Sequence, residues 1–106
     1  MKRLVDVAAI IRSKNSGPFE LTMDVIFTDK DNYEKFLKGK YMNSQKISEL
    51  YKIPLKDVVD IVEFPGALAV KATIIRPLPS GALGERDVYG AQQHVPLMMM
   101  ELPGWD

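Results

Sequence analysis

Apolar and polar residues alternate over residues 19–27. Phe19, Leu21, Met23, Val25 and Phe27 point one way, and Glu20, Thr22 and Asp24 the other. A period of two predicts a strand with one buried face. Upstream the spacing changes. Leu4, Val7, Ala8 and Ile11 recur at helical intervals, with Ile10 beside them, which predicts an amphipathic helix over residues 3–12. The polar run "SKNSGP" at 13–18 stops it and reads as a loop. After the strand, Thr28 or Asp29 offers an N-cap for a helix with the apolar stripe Tyr33, Phe36 and Leu37, ending near Gly39. A second helix follows Asn43 with Ile47, Leu50 and Tyr51, and Pro54 ends it or opens a short turn. The β-branched run from Val58 predicts a strand, "FPGA" a type II turn, and "ALAVKATIIR" the returning strand of a hairpin.

From Arg76 to Pro96 the periodicity lapses and Gly and Pro crowd the chain. Leu83, Val88 and Tyr89 are anchors that a solvated tail would not need, so this reads as a long ordered loop. "VPLMMMEL" predicts a closing strand, and Trp105 in the tail requires a surface to pack on. The whole is a single α+β domain over residues 1–106. Its sheet has about four strands, antiparallel or mixed, with helices packed on one face.

Composition narrows the function classes. Lys and Arg balance Asp and Glu at 14 each. That argues against nucleic acid as a partner and leaves association with itself, as a homo-oligomer, or with another chain unopposed. No cysteine is present, so disulfides, zinc–thiolate sites and thiol nucleophiles are excluded. The start "MKRLVDVAAIIRSK" is interrupted by Asp6 and lacks a cleavage pattern, and no apolar run nears a membrane span. The expectation is a cytoplasmic protein with no membrane partner.

Two polar stretches carry candidate chemistry. In "GERDVYGAQQH", residues 84–94, the single histidine His94 and Tyr89 are candidates for proton transfer, and Gln92 and Gln93 for substrate binding. The plain alternative is that these groups pair with the backbone of a buried loop. In "IRSKNSGPF", Ser13, Lys14, Asn15 and Gly17 are candidates for holding an anion, against the plain reading of a helix stop with a solvated face. Lys14 and Arg76 together would suit a carboxylate. No P-loop or dinucleotide fingerprint occurs, and the pattern names no cofactor and no metal. Asp24, Asp60 and Glu63 lack a ligand spacing, and Asp24 with Lys71 reads better as a cross-strand ion pair. A triad of Ser13 or Ser80 with His94 and Asp87 has no nucleophile elbow behind it. "SQKISELYKIPLKDVVDIV" resembles a helix-turn-helix only until its β-branched half. Met98–Met100 with Trp105 would supply an apolar patch for a partner.

"IRSKNSGPFELTMDVIF", "LYKIPLKDVVDIVEF", "ALAVKATIIRPLPSG" and "DVYGAQQHVPL" together resemble a small bacterial domain of unknown function. It is the one associated with AtuA-like proteins of acyclic terpene utilisation. The resemblance spans about residues 4–102. It implies a partner, the larger AtuA-like protein, beside which the domain stands separately or to whose C-terminal end it is fused. It also implies a place in the catabolism of acyclic terpenes and small organic acids. The resulting expectation is a small accessory subunit of a two-component catabolic enzyme acting on organic acids or acyl thioesters. The alternative is a non-catalytic assembly module.

Overall fold

The computed structural model describes residues 1–17, 19–75 and 94–105. The long ordered loop expected before the last strand, with its anchors, lies outside them.

The fold is α+β. Strands β2 (Ile10–Asn15), β3 (Glu20–Ile26), β4 (Val58–Phe64) and β5 (Ala69–Ile75) form an antiparallel sheet in the order β2-β3-β5-β4. Strands β1 (Lys2–Arg3) and β6 (Glu101–Leu102) make a separate two-stranded ladder. Helices α1 (Leu4–Val7), α2 (Lys30–Lys38), α3 (Ser44–Tyr51) and α4 (Val95–Met98) complete the described elements, with 3₁₀ turns at Leu55–Asp57 and Pro65–Ala67.

Register assigns each sheet residue to a face. The inner face carries Leu21, Met23 and Val25 of β3 and Val70, Ala72 and Ile74 of β5. These pack with Tyr33, Phe36, Ile47 and Leu97 from the helices into one buried cluster. Burying such side chains contributes about 1.5–3 kcal/mol each. The helices therefore sit on one face, as the pattern of β3 requires. Phe19, assigned to that face by its spacing, lies before β3 and is exposed.

Caps explain the helix limits. The Asp29 carboxylate accepts from the Asp31 N–H at 2.8 Å and opens α2. The Asn43 side-chain oxygen accepts from the Lys46 N–H at 2.8 Å and opens α3. Gly39 ends α2 with an ordinary backbone; what the site demands is space, because a Cβ there would run into the Tyr41 ring.

Three local expectations are corrected. The helix over 3–12 is only one turn, Leu4–Val7, held by Asp6 accepting from the Arg3 N–H at 2.8 Å. Beyond it Ile10–Asn15 is strand β2, paired along its whole length with β3. Leu4, Val7, Ala8 and Ile11 fit helical spacing, but the β-branched pair Ile10–Ile11 and the ladder to β3 extend the chain. The "FPGA" turn is a 3₁₀ turn in which Leu68, at φ 52°, takes the left-handed conformation in place of Gly66. The closing strand shrinks to Glu101–Leu102, because Pro96 sits in the first turn of α4, where its missing N–H costs nothing.

The tail is part of the core. Rings run from Phe27 through Phe36 and Tyr41 to Trp105, with centroids 5.3, 5.8 and 6.1 Å apart. Lys35 Nζ lies 4.7 Å from the Trp105 ring centroid, and the Tyr41 hydroxyl donates to the Pro103 carbonyl at 2.7 Å. Trp105 and Met100 are buried, so the patch expected from Met98–Met100 and Trp105 does not form; of these residues only Met99 is strongly exposed. Among the described residues no helix is long and apolar enough to cross a membrane.

Candidate functional site at the edge of the sheet

Among the described residues strand β2 is an edge strand, and the "RSKN" block lies on it rather than in a loop. That placement changes what the block can do. Successive side chains of a strand point to opposite faces. Ile11, Ser13 and Asn15 pair with Val25, Met23 and Leu21 and turn toward the helices, where they are half-buried. Arg12 and Lys14 pair with Asp24 and Thr22 on the outer face and are exposed. A block that reads as one anion cradle is divided between two faces.

His94 arrives from the other end of the chain. Its carbonyl accepts from the Met98 N–H at 3.0 Å, so its backbone opens α4. Its Nδ1 lies 3.5 Å from the Ser13 hydroxyl oxygen. This is the long limit of a hydrogen bond, and catalytic pairs are often that loose before substrate binds. The two polar blocks, 81 residues apart in sequence, thus meet through Ser13 and His94. Lys14 is on the other side of the sheet from them. Gly17 is in the β2–β3 hairpin at φ 124°, a conformation that a side chain resists, and Ser16 closes that hairpin by donating to Glu20 at 3.0 Å. Tyr89, Arg76, Gln92 and Gln93 lie outside the described residues, as do Ser80 and Asp87.

The site rests on a tight support. Tyr51 at the end of α3 hydrogen-bonds the Leu97 backbone in α4, and burial raises its phenol well above the usual tyrosine range. Burial also raises the Tyr33 phenol, helped by the Glu63 carboxylate; its hydroxyl donates to the Ala69 carbonyl at 3.2 Å.

The outer-face charges pair differently from expectation. Asp24 is opposite Lys71 in register, but its ion pair is with Arg12 on the other neighbour, at 3.1 Å. With Arg12 largely exposed, such a pair adds little stability. Asp24 and Asp60 are on the outer face and Glu63 on the inner one, so the three carboxylates do not converge. Among the described residues no three His, Asp or Glu side chains are grouped to hold a metal ion. The second half of the apparent helix-turn-helix is strand β4.

A family model for a domain of unknown function, DUF4387, matches residues 4–101, nearly the whole chain. The chain belongs to the DUF4387 family. No curated protein and no solved structure matches it. The DUF4387 match takes in β2, both sheet hairpins and α4, and so both halves of the Ser13–His94 contact.

Proposed function

We propose that the chain is the small accessory subunit of a two-component catabolic enzyme acting on organic acids or acyl thioesters. Its partner is the larger AtuA-like protein, and it completes that protein's active site. The observation that supports this reading is the Ser13–His94 contact at 3.5 Å. A hydroxyl and an imidazole, supplied by distant segments, meet at β2, which is an edge strand among the described residues. In this role His94 moves a proton to or from substrate held mainly by the partner, and Ser13 positions the ring. Asn15 is the other expected substrate-binding residue of β2 that shares the face of Ser13. Lys14, on the opposite face, has no part in this site.

The test is reconstitution with the larger protein. His94→Ala is expected to leave the complex assembled and to lower turnover by roughly 10²–10⁴-fold, the usual contribution of a general acid–base. Ser13→Ala is expected to have a smaller effect. Full activity of the larger protein alone, or wild-type turnover in the His94→Ala complex, overturns the proposal.

A further inference from the structure

Helix α4 is a single turn of four residues, Val95–Met98. A helix this short does not hold itself, because nucleation fixes more backbone than its hydrogen bonds repay. Inside it the Met98 N–H donates to the His94 carbonyl at 3.0 Å, and the Met99 N–H to the Val95 carbonyl at 3.2 Å. Its surroundings fix the rest. Leu97 is fully buried, and α4 packs against α3 and α1. The first turn of a helix also leaves N–H groups with no partner inside it. In α4 Pro96 has no N–H to leave. Leu97, the third residue, presents the donor that an N-cap side chain ordinarily satisfies. The N-cap position belongs to His94. Its backbone, at φ −79° and ψ −8°, is helical rather than extended, and its side chain makes no cap hydrogen bond. The donor is met from outside instead. The hydrogen bond between Tyr51 and the Leu97 backbone favours the ionised phenol, so the phenol oxygen accepts and the Leu97 N–H donates.

We propose that Tyr51 is the positioning residue of His94: from the end of α3 it caps the first turn of α4 and so sets the imidazole against Ser13. The division of labour follows from the cap. An N-cap side chain that bonds its own helix is turned back over the first turn and away from any other partner. With the Leu97 N–H satisfied by α3, the His94 ring is left to Ser13, whose Oγ lies 3.5 Å from its Nδ1. Tyr51 suits the task because its ring packs against the buried cluster, which holds the oxygen on a rigid two-torsion side chain. It acts through the α4 backbone. Tyr33 is the matched contrast: its phenol is also bonded to backbone, at the Ala69 carbonyl of β5. The inference rests on the catalytic reading of His94 only in what the positioning serves; the positioning itself belongs to the chain alone.

NMR on the full chain, without the larger protein, tests this. The readout is the nuclear Overhauser effect between the His94 Hε1 proton and the Ser13 β protons. It is expected in the wild type and in Tyr33→Phe. It is expected to be lost in Tyr51→Phe, which keeps the ring and removes only the oxygen. A merely structural role for Tyr51 would leave the effect in place in both variants or weaken it in both. An effect that persists in Tyr51→Phe, or that is lost equally in Tyr33→Phe, therefore overturns the proposal and leaves the catalytic reading of His94 standing. Its absence from the wild type overturns the proposal as well. Loss in Tyr51→Phe alone supports it, even where the His94→Ala complex keeps wild-type turnover and the catalytic reading fails. If Tyr51→Phe does not fold, hydrogen exchange in the wild type decides. The Leu97 N–H is expected to be protected at least as well as the Met98 N–H, which is bonded inside α4; free exchange at Leu97 overturns the proposal.

Discussion

Single residues decide how the two polar blocks relate. "RSKNSG" is conspicuous as a cluster of donors, yet its chemistry depends on backbone state. On a loop, Ser13, Lys14 and Asn15 can converge; on β2 they alternate, so only Ser13 and Asn15 share the side on which His94 sits. Tyr51 shows a second effect of surroundings. Its phenol is raised by burial, with the Leu97 backbone hydrogen bond opposing. The unfolded chain releases that proton near pH 10 while the folded chain keeps it. The contribution is fully present below about pH 10 and is lost as pH rises toward the folded value. Chemical denaturation between pH 8 and pH 11 should therefore show stability falling above about pH 10. Tyr51→Phe should flatten that fall, leaving the share due to Tyr33.

At the scale of elements, local signals were readable where neighbours agree with them. Asp29 and Asn43 cap α2 and α3 as their positions suggest, and the β4–β5 hairpin follows from its β-branched runs. The misreadings share a cause. Residues 3–12 fit a helix in isolation, and only the ladder to β3 reveals β2. Residues 95–102 fit a strand until Pro96 is placed in a helical first turn. Gly66 suggested the turn's left-handed position, yet Leu68 holds it at φ 52°. The same conformation occurs at Lys52, the exposed C-cap of α3, at φ 56°. There a side chain serves no packing and costs roughly 1 kcal/mol against glycine. Lys52→Gly is expected to raise the unfolding midpoint in thermal denaturation, by about that energy; an unchanged or lower midpoint would contradict the cap geometry.

At the scale of the whole molecule, one sheet separates two surfaces of different make-up. The inner face, with α2, α3 and α4, forms the core and carries Ser13 and His94 at its edge. The outer face carries Ile10, Arg12 and Lys14 on β2 and Asp60, Val62 and Phe64 on β4. The class of fold was legible in the sequence, because the period of β3 and the two capped helices require a sheet with one covered face. The split between faces was not. It depends on strand order, which brings β2 to one edge and β4 to the other, and no local pattern encodes that order. His94 was visible as the single histidine, but its meeting with Ser13 is a tertiary contact between segments far apart in the chain.

Because the chain has one histidine, its imidazole gives a single set of ring signals by NMR. Recording those signals while the proposed partner, the larger AtuA-like protein, is titrated in shows whether His94 lies at the contact between them. The account predicts that binding shifts or broadens the His94 signals, and that Ser13→Ala alters them in the free protein while Lys14→Ala does not. A complex that forms and leaves the His94 ring unchanged would contradict it.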